Sequence, residues 1–258
     1  MGEEVKKSES GYMTTIFFNR PEKRNALNAD ALFAVGDVVR DVEQKKSARV
    51  IVLRGEGEKA FCAGVDLSGD PSNFKKTIEG LDYCLTGLIE CSCPIISMIF
   101  GSAIGAGLDI AVISDFRIAE EQAKFGAPLV RLGRTYYYKA IGRLTRLIGL
   151  SAAKEILLTG KLITSQRAFQ MGLINTLASH DELQSTVQEF ARDLAEGTSP
   201  LAVRVTKQTI RKIFEEPLID PVVEKELKRL ADSANQSSDA KEGVQAMLEK
   251  RKPFFTGE

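Results

Sequence analysis

Histidine is nearly missing from this chain and tryptophan is wholly absent: of 258 residues one is His and none is Trp. With His180 alone, neither a multi-histidine metal site nor a Ser/His/Asp triad elsewhere in the chain can be assembled. Cysteine is scarce too. Cys62, Cys84, Cys91 and Cys93 form no Cys-x-x-Cys pair, and the last two lie too close in sequence for an easy disulfide, so reduced thiols in a cytoplasm are expected. No run approaches the ~18 apolar residues of a membrane span, and residues 1–11 are charged, without the apolar core of a secretory signal. Neither charge is in excess. Lys plus Arg and Asp plus Glu number 35 each, so no global field recruits nucleic acid or membrane, and an anionic ligand has to be held locally.

What is present is the composition of a globular protein, 43% hydrophobic and 27% charged, in a chain long enough to hide about three quarters of its unfolded surface. Residues 13–19 (MTTIFFN) are β-branched and aromatic and stop at Arg20-Pro21, which reads as a strand closed by a turn. Asn28 is a helix N-cap for residues 29–44, where Leu32, Val35, Val38, Val39 and Val42 make a helical apolar stripe. Residues 49–54 form a short buried strand ended by Gly55 and Gly57. Strand, helix, strand is the unit of a parallel sheet.

The alternation continues with helix at 74–91, strand at 95–100, helix at 105–113 and strand at 116–119, interrupted by loops at 60–73 and 125–138. Loops at strand ends are where chemistry usually sits. From about Gly142 strands fade, and helices are expected at 151–158, 165–171, 181–195, 200–214, 217–234 and 238–250. His180, before the acidic start of a polar helix, is expected to face solvent.

Two segments crowd small residues: AFCAGVDL at 60–67 and GSAIGAGLD at 101–109. The second opens a helix, so backbone N–H groups can approach a ligand there. Two amides aimed at one point make an oxyanion hole; tight packing is the other use of such loops.

Both segments occur in order behind NRPEKRNALN at 19–28, and LTGKLITSQRAFQMGLIN at 158–175 and EKRKPFF at 249–255 follow. On these five ordered motifs the chain resembles the crotonase superfamily, the enoyl-CoA hydratase/isomerase family, nearly end to end. The resemblance implies an α/β fold: a spiral of ββα repeats over residues 1–195 carrying the active site, then a helical trimerisation region over 196–258, in a homotrimer or hexamer. It implies an acyl-CoA substrate held with its thioester oxygen between two backbone N–H groups, with no metal and no cofactor beyond the coenzyme A moiety. Matched by position, the donors are the amides of Val65, after Ala63-Gly64, and of Ala106, after Gly105. Lys23 and Arg24 match the contact region for coenzyme A phosphates, Lys252 matches a lysine often offered by a neighbouring subunit, and the adenine lies near Ala63. Asp66 and Leu67 complete that bend, Asp66 as a loop-capping acid.

The family's hydratases place one water with two carboxylates. The first position is Asp109; the second, after Phe125-Gly126-Ala127-Pro128, is Leu129, which exchanges no proton. The acid position of several isomerases corresponds to Tyr137. Residues 132–146 (LGRTYYYKAIGRLTR) resemble instead the methylmalonyl-CoA decarboxylase branch, where an acid at the position of Asp109 and a tyrosine at the position of Tyr136 line the site. Decarboxylation suits the lost acid, since the substrate makes its own enolate by releasing carbon dioxide. Tyr136 then orients the carboxylate, Asp109 organises water or delivers a proton, and Arg134 pairs with a substrate carboxylate or with Asp109. Decarboxylation of a 2-carboxyacyl-CoA is thus the leading expectation. A hydratase, or a hydrolase or isomerase of an alicyclic acyl-CoA working through Asp109, is the alternative; a non-catalytic CoA-binding protein is another.

Overall fold

A computed structural model describes residues 4–67, 74–215 and 221–255. β1 (Val5–Ser10) and β2 (Met13–Phe18) form an antiparallel hairpin through Gly11, and the sheet then grows by parallel additions. β3 (Val50–Gly55), β4 (Ile95–Ile99), β6 (Phe116–Glu120) and β9 (Thr176–Ala178) follow in the order β1-β2-β3-β4-β6-β9. A second small sheet has the order β5-β7-β8, from β5 (Ser102–Ile104), β7 (Lys124–Gly126) and β8 (Ile163–Thr164).

The main sheet is covered on both faces, which explains why β3 and β4 read as unbroken apolar runs. Alternation along the strands sends Ile51, Leu53, Ile95 and Ile99 into one core and Val50, Val52, Ile96 and Met98 into the other. The first core is closed by α1 (Ala29–Lys45), α2 (Phe74–Glu90) and α3 (Ala106–Ile113), the second by α6 (Leu183–Glu196). Asn28 caps α1, its side chain accepting from the Ala31 N–H at 2.9 Å, and every residue of the expected stripe is buried. Each such aliphatic side chain contributes about 1.5 to 3 kcal/mol by leaving water.

The remaining helices are α4 (Tyr138–Thr159), α5 (Ser165–Gln170), α7 (Pro200–Ile210), α8 (Pro221–Gln236) and α9 (Ser238–Leu248). Several sequence expectations need correction. Charged β1 carries no strand-like apolar pattern in VKKSES, yet it pairs along its whole length with β2 as an edge. The segment 125–138 is not simply a loop, because it contains the end of β7 and a 3-10 helix, Pro128–Leu132. Helix α4 begins at Tyr138, well before Ser151, and is broken inside by Gly149 at φ 79°. Strands also persist late in the chain, as β8 and β9. Residues 68–73 of the expected loop and 217–220 of the expected 217–234 helix lie outside the described residues.

Candidate active site

The two small-residue bends meet. Cys62 and Ala103 pair as an isolated parallel bridge, with the Cys62 N–H donating to the Ser102 carbonyl at 3.0 Å and the Ile104 N–H to the Cys62 carbonyl at 2.9 Å. Three residues further along each segment stand Val65 and Ala106. Gly64 has φ 103° and Gly105 φ 54°, backbone that side-chain-bearing residues rarely adopt. A Cβ placed on Gly64 would lie 3.1 Å from the Ile104 carbonyl oxygen and 3.6 Å from the Ala106 nitrogen, so the first bend abuts the amide of the second. Gly107 packs its bare Cα against Cys62, closing the same junction.

The pairing pattern tells where the two N–H groups point. Leu27 and Val65 are bridge partners: the Leu27 N–H donates to the Gly64 carbonyl at 2.8 Å, and the Asp66 N–H donates to the Leu27 carbonyl at 2.9 Å. In a parallel bridge the residue between those two bonds turns its own N–H to the opposite side. Ala106 is the first residue of α3 with Gly105 as N-cap, so its N–H is one of those a helix leaves without an internal partner.

The peptide joining Gly105 to Ala106 is gripped from behind. The Gly105 carbonyl accepts from the Asp109 N–H at 3.1 Å and from the Tyr136 hydroxyl at 2.8 Å. Both donors fix the plane of a peptide whose other edge is the Ala106 N–H, and they polarise it toward stronger donation. Burial, with the Asp109 charge adding to it, holds the Tyr136 phenol well above its ordinary pKa, so it stays a hydroxyl.

Asp109, 5% exposed in the first turn of α3, is held at both oxygens by Arg143 of α4: Nε to Oδ1 at 3.0 Å and Nη2 to Oδ2 at 2.6 Å. Burial pushes its pKa up, against the downward pull of the guanidinium. Arg134 is therefore not the partner of Asp109. Its guanidinium lies over the Phe74 ring, 5.2 Å from the centroid, and its Nε is buried without a hydrogen-bond acceptor. The sequence reading passed over Arg143, although its spacing five residues after Tyr138 puts it beside the tyrosine segment on the next helix.

Leu129 packs against the first core, in the 3-10 helix behind Pro128. Of the three tyrosines, Tyr136 faces inward, Tyr137 is 40% exposed, and buried Tyr138 stacks edge-on against Tyr137 and hydrogen-bonds Glu224 of α8. Asp66 does more than cap its loop: Oδ2 accepts from Arg20 Nη2 at 2.8 Å, tying the bend to the turn after β2. The Ala63 N–H donates to the Arg24 carbonyl at 3.1 Å, which brings exposed Lys23 and Arg24 beside the same bend. Leu67, partly buried, ends the described part of the bend. Lys252 is exposed on the tail beyond α9, where Arg251 binds Glu242 and Glu249.

The four thiols are all buried and free, and burial pushes Cys62, Cys84 and Cys93 up to about 12 and Cys91 to about 11. Protonated at neutral pH, they are no nucleophiles. Among the described residues no group of His, Cys, Asp and Glu is arranged to hold a metal ion, and no helix is long and apolar enough to cross a membrane.

Comparison with known proteins gives concordant matches. A family model described as Enoyl-CoA hydratase/isomerase matches residues 8–258. The chain is 33% identical over 250 residues to a short-chain-enoyl-CoA hydratase of Clostridium acetobutylicum, covering 95% of this chain and 94% of that one. A crystal structure of methylmalonyl-CoA decarboxylase complexed with 2S-carboxypropyl-CoA superposes with a TM-score of 0.92 at 30% identity, covering 100% of both chains. An enoyl-CoA hydratase/carnithine racemase from Magnetospirillum magneticum gives a TM-score of 0.79 at 29% identity, over 100% of this chain and 97% of the other.

Proposed function

This chain belongs to the enoyl-CoA hydratase/isomerase family of acyl-CoA enzymes, with the crotonase fold, and from that premise we propose that it decarboxylates a 2-carboxyacyl-CoA such as methylmalonyl-CoA. The observation that carries this reading is the state of the two acid positions. Asp109 has both oxygens engaged by Arg143, and the second position is Leu129. Addition of water to a double bond needs a base to take one proton and an acid to deliver another. Neither position supplies a free group for that exchange.

A 2-carboxyacyl thioester asks for less. Its thioester oxygen sits between the Val65 and Ala106 amides. The bond from the second carbon to the carboxylate breaks, the electron pair moves into the enolate, and carbon dioxide leaves; water then returns one proton to the second carbon, and the hydroxide left behind is taken up by the buffered solvent. Each preorganised donor at the enolate oxygen contributes about 3 to 4 kcal/mol to the transition state. The Asp109–Arg143 pair is neutral as a unit, so it does not repel the entering carboxylate, and Leu129 helps strip that carboxylate of water before its charge is dispersed. Tyr136 holds the Ala106 peptide in place. Lys23 and Arg24 meet the phosphates of coenzyme A, with Lys252 available from the tail of a neighbouring subunit in a trimer or hexamer.

Hydration of an enoyl-CoA is the second reading, favoured by similarity to enzymes named as hydratases. Purified protein incubated with methylmalonyl-CoA and with crotonyl-CoA separates the two. Propionyl-CoA and carbon dioxide from the first substrate are expected. Faster hydration of crotonyl-CoA, abolished by Asp109→Asn, would assign the protein to the hydratases.

A further inference from the structure

His180 lies just beyond β9, far along the chain from both bends, and both its ring nitrogens face carboxylates. Nδ1 is 2.6 Å from Glu120 Oε2 and Nε2 is 3.2 Å from Glu58 Oε2. Glu120, at the end of β6, is 5% exposed, and its other oxygen, Oε1, accepts the Gly101 N–H at 2.6 Å. Glu58 belongs to the chain that runs from β3 into Cys62 and Val65. Gly101 begins the turn that runs through β5 into Gly105 and Ala106. The two roots also touch directly, since a side chain on Gly101 would overlap the Lys59 carbonyl.

We infer that His180 is a positioning residue, a clasp joining the roots of the two amide-bearing bends through Glu58 on one side and Glu120 with Gly101 on the other. This rests on reading Val65 and Ala106 as the oxyanion donors. A neutral imidazole carries one N–H and can donate to one carboxylate only; the imidazolium donates to both. The clasp is therefore complete when His180 is protonated and half open when it is not. The ring packs edge-on against Phe100 at 5.2 Å between centroids, and Arg54 of β3 lies over Phe100 at 5.6 Å, near Glu56 and Glu58. Glu58 thus feels the charge of Arg54 while its Oε2 faces His180, and buried Glu120 is committed to His180 and Gly101. The bond to Glu120 in particular raises the pKa of His180 above 6.5. A raised folded-state value means that the clasp's contribution is full below pH 6.5 and is lost as pH climbs through the higher value.

Because His180 is the sole histidine, its imidazole NMR signals need no assignment. Their titration is expected above 6.5 and lower in Glu120→Gln, which can keep the Gly101 bond but loses the charge. Hydrogen exchange then reads the bends themselves. In His180→Gln, an exposed-site variant expected to fold, peptides covering 56–66 and 101–106 exchange at least about 5-fold faster than wild type below the NMR midpoint, and the two proteins converge above it. With methylmalonyl-CoA, kcat falls about 3- to 10-fold with KM within twofold, and the wild-type kcat profile declines at the NMR midpoint while that of the variant is flat there. Exchange changes confined to residues 179–183, or an unaltered kcat profile in a variant whose bends are loosened, would overturn the clasp. Should the wild type turn over no thioester, the functional reading fails, and the exchange comparison still decides whether the bends are coupled.

Discussion

Helices α1 and α7 have similar apolar stripes and opposite fates. In α1 eight residues of the stripe and its flanks are buried, the helix packing against β1, β2 and α2; in α7 none is buried, and Leu201 is 72% and Val205 53% exposed. Polar anchors attach α7 instead: Lys207 Nζ binds Asp115 Oδ2 at 2.6 Å and the Cys93 carbonyl at 2.8 Å, and Arg211, just beyond the helix, binds the Ile89 carbonyl at 3.0 Å. Exposed Val222, Leu230, Leu248 and Phe254 continue the pattern through the C-terminal segment. A stripe thus states that a helix wants apolar company without stating whose. The bends of the candidate site lie in the self-sufficient region, where backbone bonds, glycine contacts and ion pairs fix them within one chain.

If that region is as rigid as its bonding implies, damage there is severe and local. Gly105→Val puts a β-branched side chain at φ 54° and displaces the Ala106 amide; on the role proposed for that amide, loss of one oxyanion donor costs about 10²- to 10³-fold in kcat. Assay with methylmalonyl-CoA, alongside a thermal melt, checks it, and a loss under tenfold in a folded variant would remove Ala106 from the mechanism. Arg143→Met tests the ion pair behind the bend. Removing one member of a largely buried pair costs about 3 kcal/mol, measured by denaturant unfolding. The pH response carries a sign. Burial already holds Asp109 above its ordinary value, and without Arg143 it rises further, so the variant loses its stability as pH rises through that value and regains it on mild acidification. An Asp109→Leu/Arg143→Met double variant should restore most of the stability.

How much of this could be read from residues alone follows the same division. The α1 stripe, the Asn28 cap and the buried strands β3 and β4 were legible because local periodicity and burial coincide. Gly64, Gly105 and Asp109 were legible as motif positions, and the structure brings the two bends together. The grip of Tyr136 on Gly105, the Arg143 partnership and the His180 clasp were not, since each joins positions more than 30 residues apart through contacts that no short pattern encodes. Of the two partners expected for Arg134, Asp109 is taken by Arg143, whose place at the acid no local spacing shows. Strand β1 escaped notice because an edge strand with charged residues owes its form to backbone pairing rather than to an apolar face.

Tyr136→Phe probes a gentler link between sequence and site. It leaves the ring in place and removes only the hydroxyl that steadies the Gly105 carbonyl, which the Asp109 N–H still partly satisfies. A loss of about 10-fold in kcat, about 1.4 kcal/mol, with KM unchanged, is expected for a group acting through a peptide. A rise in KM for methylmalonyl-CoA with kcat preserved would mean instead that the hydroxyl meets the substrate carboxylate.

The smallest effect on the chain itself is expected at α7. Leu201→Glu with Val205→Glu changes two side chains that this chain leaves in water, so the stability of one subunit should move by no more than about 0.5 kcal/mol. The same change places two charges on a surface that a trimer would cover, where burial of an unpaired carboxylate is costly. Sedimentation velocity on wild type and variant therefore separates the two regions: an unchanged melt with a smaller sedimenting species would show that the exposed stripe is an assembly surface. Equal sedimentation would mean that α7 keeps its apolar face in solvent and that its polar anchors alone hold it to the body, leaving the coenzyme A contact expected from a neighbour's Lys252 without a neighbour to make it.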